Sequence, residues 1–133
     1  MRLQKIFKNL DKKYLNHSFS KIEFNSNNCE KNDIFFAIRG TKINGNRFIN
    51  NAIKNGAKTI VSDLKFQGYK EDILFLKSKN PRKTLAEAST FFYNKKPKNL
   101  IAVTGTNGKT SVSNFFLQIM LLNNKKAAAI GTL

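Results

Sequence analysis

The chain has 133 residues, of which 41% are hydrophobic, enough for one ordinary domain or for a small domain and part of a second. Its formal charge of +16 comes from lysines spread along the whole sequence, and this absence of a basic cluster argues against a nucleic-acid partner. Cys29 alone can form neither an internal disulfide nor a zinc site, and with no leader pattern or apolar run of roughly 20 residues we expect a cytoplasmic protein without a membrane partner.

The first 97 residues alternate between strand-like and helical patterns, which predicts a small α/β domain. Helical spacing of apolar residues predicts an amphipathic helix at 2–10, a helix before Gly56 and another that starts at Pro81 with Asn80 as its cap. Alternating or continuous apolar runs predict four strands, within KIEFNSN (21–27), DIFFAIRG (33–40), KTIVS (58–62) and ILFLKS (73–78).

A second domain is predicted to begin after Pro97. NLIAVTG (99–105) is an apolar run typical of a strand buried on both faces, and AAAIGT (127–132) begins another strand. Between them, apolar residues recur at core-facing helical spacing from Val112 to Leu122. Residues 98–133 therefore predict one βαβ unit of a parallel sheet. One such unit cannot cover both faces of a parallel sheet, so we expect this domain to be truncated.

The loop between the second domain's first strand and its helix reads TGTNGKTS (104–111). A strand that ends in a glycine-rich turn and opens a helix directs backbone N–H groups and the positive end of the helix dipole at one point, which suits a phosphate. Gly105 and Gly108 allow close approach, Lys109 adds a charge for the β- and γ-phosphates, and the Thr110 hydroxyl is placed to bind Mg²⁺.

The spacing of this loop departs from the general Walker A pattern. Four residues separate the first glycine from the Gly-Lys pair in that pattern, and here the corresponding position is Val103. The alternative interpretation is a glycine turn with an ordinary surface lysine. The hydroxyl after the lysine and the flanking strand and helix patterns favour phosphate binding by the shorter loop.

The short loop resembles the ATP-binding loop of the Mur ligase family, and the upstream sequence is similar to the N-terminal domain of its MurE and MurF branches. That domain runs as Asp-Ser-Arg, Gly-Asp-Leu-Phe-Val-Ala, Gly, Asp-Gly, Phe-Ile and Gly-Ala-Val. The matching positions here are Ser26, Asp33–Ala37, Gly40, Gly45, Phe48-Ile49 and Gly56-Ala57. The stretch from Asn80 to Ser111 and the closing IGTL resemble the MurE branch in particular.

The resemblance implies an ATP-dependent, amide-forming ligase of peptidoglycan precursor synthesis. It also implies that residues 98–133 are the start of a P-loop-type parallel-sheet ATPase domain. Its acceptor would be UDP-N-acetylmuramoyl-L-alanyl-D-glutamate, joined to a diamino acid or lysine through an acyl phosphate, with ATP and Mg²⁺ as cofactors. We expect the complete enzyme to be a monomer and the 133-residue chain alone to be inactive.

Site residues carry over position by position. The ATP loop matches Gly105, Thr106, Asn107, Gly108, Lys109, Thr110 and Ser111, with Lys109 as the catalytic residue and Thr110 as the metal ligand. The uridine diphosphate end matches Phe24, Ser26, Thr41, Lys42 and Ile43. The family's Asp-Ser-Arg reads Asn-Ser-Asn here, so its ionic pair of side chains is absent.

Two of these residues also have structural interpretations. Ser26 would also serve as a turn residue after a strand, and Phe24 as a core aromatic. Two alternative functions are also open. The chain would be part of another Mur-type ligase, similar to MurF, or it would be a self-contained nucleotide- or nucleic-acid-binding module.

Overall fold

The computed structural model describes residues 1–7, 10–93 and 95–131 and divides into two compact units, Met1–Lys95 and Lys96–Leu133. The first unit is a mixed α/β fold, as the sequence predicts. Its regular elements are β1 (Ile22–Glu23), β2 (Ile34–Phe36), α1 (Ile49–Lys54), β3 (Thr59–Ser62), β4 (Gly68–Lys70), β5 (Ile73–Lys77) and α2 (Pro81–Phe92). Among the described residues, no helix is both long enough and apolar enough to cross a membrane.

The five strands form one sheet in the order β1-β2-β3-β5-β4. Four of them run parallel, and β4, which the sequence patterns did not predict, adds an antiparallel edge beside β5. The central strands are continuous apolar runs because both faces of a parallel sheet are covered. All four residues of β3 are buried, including Thr59 and Ser62.

Alternate residues of the strands supply two separate cores. In β2, Ile34 and Phe36 pack on one face with Leu74 of β5 and Ala88 of α2. Phe35 points the other way, into a core that the first turns of α1 complete. The residues of that second core are Cys29, Phe35, Ala37, Ile49, Ala52, Ala57, Ile60 and Ile73. The two helices thus cover opposite faces of the sheet.

The start of α2 agrees with the sequence prediction. The Asn80 side chain accepts a hydrogen bond from the backbone N–H of Lys83 at 3.0 Å, and Pro81 occupies the first turn. Within the described part of the segment 2–10, which lacks residues 8 and 9, the predicted amphipathic helix does not form. Only Leu3–Lys5 form a short 3₁₀ turn, because Arg2 is extended and pairs with Ser18 as an antiparallel β-bridge. Leu3 is nevertheless fully buried, as its apolar spacing indicated.

The second unit contains one regular element among its described residues, α3 (Lys109–Leu122). The predicted helix is confirmed, but none of its residues is buried. The strands predicted at 99–105 and 127–132 do not form within the described residues, which for the second strand end at Gly131. Leu100 is 89% exposed. A strand requires a neighbouring strand to satisfy its backbone groups, and an apolar run alone does not provide one.

Candidate nucleotide-binding sites

The loops that leave the parallel strands of the first unit collect at one edge of the sheet. Phe24 follows β1, Ile38 lies just beyond β2, Asp63 follows β3, and the chain from β5 leads to Arg82 at the start of α2. The carboxyl ends of parallel strands are where ligands of open α/β sheets bind. A ligand site of the first unit is therefore expected at this edge.

The loop after β2 is closed by its own backbone. The N–H of Gly40 donates to the carbonyl of Ile43 at 2.9 Å, and the N–H of Gly45 donates to the carbonyl of Ile38 at 3.0 Å. A Cβ atom on Gly45 would lie 2.5 Å from the backbone nitrogen and oxygen of Ile38, closer than atoms can pack. Glycine is therefore required at this position, and the loop has a defined shape.

A cleft of about 270 Å³ opens beside this loop. Its lining consists of Phe24, Ile38, Gly40, Ile43, Gly45, Phe48 and Arg82. Phe24 is 66% exposed and Phe48 is 42% exposed, so two aromatic rings stand at the cleft with much of their surface in solvent. Phe24 is therefore not the core aromatic of the alternative interpretation. Exposed rings beside a cleft are suited to stacking on a planar base.

Of the five predicted UDP-site residues, the structure brings Phe24 and Ile43 into the cleft. Thr41 and Lys42 are exposed on the same loop without lining it. Phe48 and Arg82 line the cleft although the predicted set omits them. Phe48 belongs to the Phe-Ile pair of the family pattern, so the sequence carried a signal for it.

Ser26 has a different environment from the cleft residues. It is 5% exposed, its hydroxyl accepts a hydrogen bond from the Asn51 side chain at 3.0 Å, and its carbonyl accepts one from the Asn55 side chain at 2.9 Å. These bonds join α1 to the 3₁₀ turn Ser26–Asn28. The turn interpretation of Ser26 is thus supported by its contacts, and its hydroxyl keeps a proton to donate.

Amide hydrogen bonds hold the segment in which the family pattern has charged residues. The Asn25 side chain accepts from the backbone N–H of Asn27 at 3.1 Å, and the Asn27 side chain accepts from Asn51 at 2.9 Å. The Asn-Ser-Asn sequence therefore fixes this turn without an ion pair between its first and third side chains.

Charged side chains surround the loop after β2. Arg39 and Asp63 form an ion pair with 3.9 Å between Nε and Oδ2, and Asp63 also accepts a hydrogen bond from the Asn46 side chain at 2.6 Å. Arg82 donates a long hydrogen bond, 3.5 Å, to the carbonyl of Arg39. The guanidinium of Arg82 therefore lies beside the loop that forms one wall of the cleft.

In the second unit, two residues of the glycine loop have backbone conformations that favour glycine. Gly105 has φ +151° and Gly108 has φ +75°, which L side chains rarely adopt. Gly108 caps α3, so the free N–H groups of the first turn of α3 face the loop. The Lys109 ammonium donates to the carbonyl of Gly105 and, at 3.0 Å, to that of Thr106. The lysine charge therefore lies over the loop.

The residues of this loop fit the predicted nucleotide and metal ion. Positive-φ glycines, a helix start and a lysine charge together fit a di- or triphosphate. Thr110, in the first turn of α3, offers a single hydroxyl for Mg²⁺, and the described residues contain no group of three or more acidic, histidine or cysteine side chains that could hold a metal alone. A single protein hydroxyl suits Mg²⁺, which takes many of its ligands from phosphates and water.

Cys29 is not a candidate for catalysis. It is buried in the core on the α1 face, and this burial, with the nearby carboxylates Asp33 and Glu23, raises the pKa of its thiol to about 11. The thiolate form that reacts with substrates or metals is therefore disfavoured.

An α/β sheet with a cleft at its carboxyl edge, followed by a glycine-rich loop that opens a helix, is typical of the nucleotide-binding class of proteins. A family model described as "Mur ligase family, catalytic domain" matches residues 18–93, more than half of the chain. The chain belongs to the Mur ligase family.

Proteins named as ligases are similar in sequence to most of this chain. The UDP-N-acetylmuramoyl-L-alanyl-D-glutamate–2,6-diaminopimelate ligase of Rickettsia prowazekii (strain Madrid E) is 42% identical over 94% of the chain, which covers 26% of the relative. The ligase of the same name from Clostridium tetani (strain Massachusetts / E88) is 43% identical over the whole chain, which covers 29% of it. The chain thus spans about a quarter of the length of these relatives.

Among solved structures, the MurF ligase of Thermotoga maritima in complex with ADP is similar with a TM-score of 0.61. The alignment has 24% identity and covers 77% of this chain and 23% of that one. At this identity, the likeness supports the fold.

Proposed function

We propose that this chain is part of an ATP-dependent ligase that adds a diamino acid to UDP-N-acetylmuramoyl-L-alanyl-D-glutamate. The relatives are named for diaminopimelate as this diamino acid. The observation that carries the proposal is the 42–43% identity to ligases of that name over 94–100% of the chain. The cleft and the phosphate-type loop support it, because the reaction needs sites for two nucleotides. The enzyme would act in the cytoplasm, where ATP is available.

The proposed reaction divides between the two units. The glycine loop, Gly105 to Ser111, would bind ATP, and Lys109 would neutralise charge on the phosphoryl group as it passes to the acceptor's carboxylate and ADP leaves. The amine of the incoming amino acid would then attack the acyl carbon and release phosphate. Mg²⁺, held in part by Thr110, would supply further positive charge at the phosphates.

The first unit would hold the UDP end of the acceptor. Phe24 and Ile43 line the cleft, and Thr41 and Lys42 lie on the same loop. Ser26 would contribute through its hydroxyl proton or by holding the turn that carries Phe24. In this arrangement the first unit supplies binding and orientation, which lower the barrier by positioning the reactants.

The test is Lys109→Ala in a complete ligase that contains this sequence. Amide formation from ATP, the UDP-linked dipeptide and diaminopimelate should fall by at least about a hundredfold, because a preorganised charge at the transferred phosphoryl group is lost. Lys126→Ala, at an exposed lysine after α3, is the matched control and should retain activity. Near-normal ligation by Lys109→Ala would contradict the proposed role of the loop.

A further inference from the structure

The cleft of the first unit has an unequal distribution of charge. Of its seven lining residues, six are apolar side chains or glycines, and Arg82 is the one that carries a charge. The side chain of Arg82 is exposed and therefore free to reach a ligand. An apolar cleft with one guanidinium fits a ligand that has both a flat apolar part and an anionic part.

The position of Arg82 is fixed by the start of α2. Pro81, before the arginine, is buried in the first turn of α2. The backbone N–H of Lys83, after the arginine, donates a hydrogen bond to the Asn80 side chain. The backbone is therefore anchored on both sides of Arg82. The long hydrogen bond from its Nη2 to the carbonyl of Arg39 directs the guanidinium toward the loop after β2. The remaining N–H groups of the guanidinium stay available.

The charge of Arg82 is not compensated by a carboxylate. Asp63 pairs with Arg39, whereas Arg82 makes no ion pair in the part of the chain that the structure describes. Among Arg39, Asp63 and Arg82, one positive charge remains uncompensated beside the cleft. A guanidinium fork matches phosphate oxygens and is less strongly hydrated than an ammonium group.

We propose that Arg82 binds the diphosphate of the UDP-linked acceptor while the exposed rings of Phe24 and Phe48 hold the uracil base. This inference rests on the proposed function and assigns two residues beyond the set predicted from sequence. Arg82 then distinguishes a nucleoside diphosphate from a nucleoside, because only the diphosphate supplies an anion to the guanidinium.

The experiment titrates the ¹⁵N-labelled 133-residue chain with UDP and, separately, with uridine. The amide signals of Gly40 and Gly45 report on the cleft, whereas those of Gly105 and Gly108 report on binding of the diphosphate at the other loop. Arg82→Gln should lower the affinity for UDP at the cleft by roughly tenfold and leave the affinity for uridine unchanged, as expected for one lost charge-assisted interaction. Arg82→Lys should restore part of the loss.

Lys83→Gln is the matched control, because Lys83 is the next residue of α2 and its side chain pairs with Glu87 at 3.9 Å. It should bind UDP like the unchanged chain. Equal losses for UDP and uridine in Arg82→Gln would show that Arg82 only supports the loop, and an unchanged UDP affinity would show no role, so either result overturns the inference. If UDP does not shift Gly40 and Gly45 in the unchanged chain, the proposed UDP site itself fails and the inference falls with it.

Discussion

The two units of this chain are built from similar apolar patterns but bury them to very different degrees. In Met1–Lys95 the central strands β2 and β3 have every residue buried, and both faces of the sheet are covered. In Lys96–Leu133, α3 has an equally apolar sequence and no buried residue. An apolar pattern therefore specifies which surface prefers to be covered, while burial depends on whether partner elements exist.

The candidate sites of the two units depend on structure in correspondingly different ways. The cleft at Phe24 and Arg82 is assembled from the segments that follow three strands, β1, β2 and β5, so it needs the sheet of the first unit. The phosphate-type loop needs only two positive-φ glycines and the start of one helix. A site made by local backbone geometry can be recognised in a short sequence motif, whereas one assembled across a sheet cannot.

The largest expected effect is in amide hydrogen exchange of the 133-residue chain. Amides of β2 and β3 should exchange only through global unfolding, because both strands lie inside the sheet. Amides of 99–107 should exchange almost without protection, and those of α3 should be weakly protected, since a 14-residue helix with no buried residue is marginal. We expect at least a hundredfold difference in protection, on the order of 3 kcal/mol or more.

The control for that experiment is the concentration of the protein. Exposed apolar residues on α3, such as Phe115 and Leu122, favour association, which would protect the helix without any change within one chain. Exchange should therefore be compared at two concentrations, with the mass checked by sedimentation. Strong and equal protection of both units in a monomer would remove the contrast between them.

A second, smaller effect should follow from deleting a buried carboxylate. Asp33 is fully buried, and its two oxygens accept hydrogen bonds from the backbone N–H groups of Lys21 at 3.0 Å and Glu30 at 2.8 Å. Asp33→Ala leaves two part-buried N–H groups without their acceptor, so the free energy of unfolding should fall by about 2–4 kcal/mol. Urea denaturation followed by circular dichroism measures this change.

Ser113→Ala in the second unit is the matched comparison for Asp33→Ala. The Ser113 hydroxyl also bonds to backbone, donating to the carbonyl of Lys109 at 2.9 Å, but the pair is exposed. Water replaces an exposed bond, so the expected change in unfolding free energy is within about 0.5 kcal/mol. Similar costs for the two variants would mean that burial does not distinguish the units.

The sequence predicted much of the first unit because its local signals agree with the tertiary structure. The apolar runs at 33–40, 58–62 and 73–78 do become adjacent parallel strands. The family pattern's glycine before Asp33 is Asn32 here, and Asn32 has φ +68°, which asparagine tolerates better than most side chains. In the described part of 2–10 the helix does not form, because Arg2 is extended and pairs with Ser18.

The parts that could not be predicted are those that depend on distant residues. The strand expected at 99–105 has no pairing strand in the described residues. The sequence of 99–105 alone could not show whether such a partner is present. Arg82 joins the cleft only because α2 begins at the same edge of the sheet as the loop after β2. Its position next to Pro81 indicated a helix start but gave no information about the loop beside it.

The chain has one histidine, and it lies in the first unit, so a titration near neutral pH reports on that unit alone. His17 places Nδ1 3.1 Å from the Tyr69 hydroxyl on the edge strand β4, while its Nε2 is buried without a hydrogen-bond partner in the described structure. Partial burial lowers the pKa of His17 below its ordinary value of 6.5, because the charged ring loses hydration.

The smallest predicted effect follows from that shift. Because the pKa of His17 is lower in the folded chain than in the unfolded chain, the unfolded chain takes up the proton first as the pH falls. Stability should therefore be constant with respect to this group above about pH 6.5 and should decline below it, toward the folded-state pKa. His17→Gln should flatten this slope between pH 7.5 and 5.5, and Tyr69→Phe, which removes only the hydroxyl, should keep it if burial is the cause. Denaturation midpoints across that range measure the slope, and an NMR titration of the ring gives the folded-state pKa directly. A folded-state pKa at or above 6.5 would show that the ring is hydrated, and that the edge of the first unit is as open to water as α3 in the second.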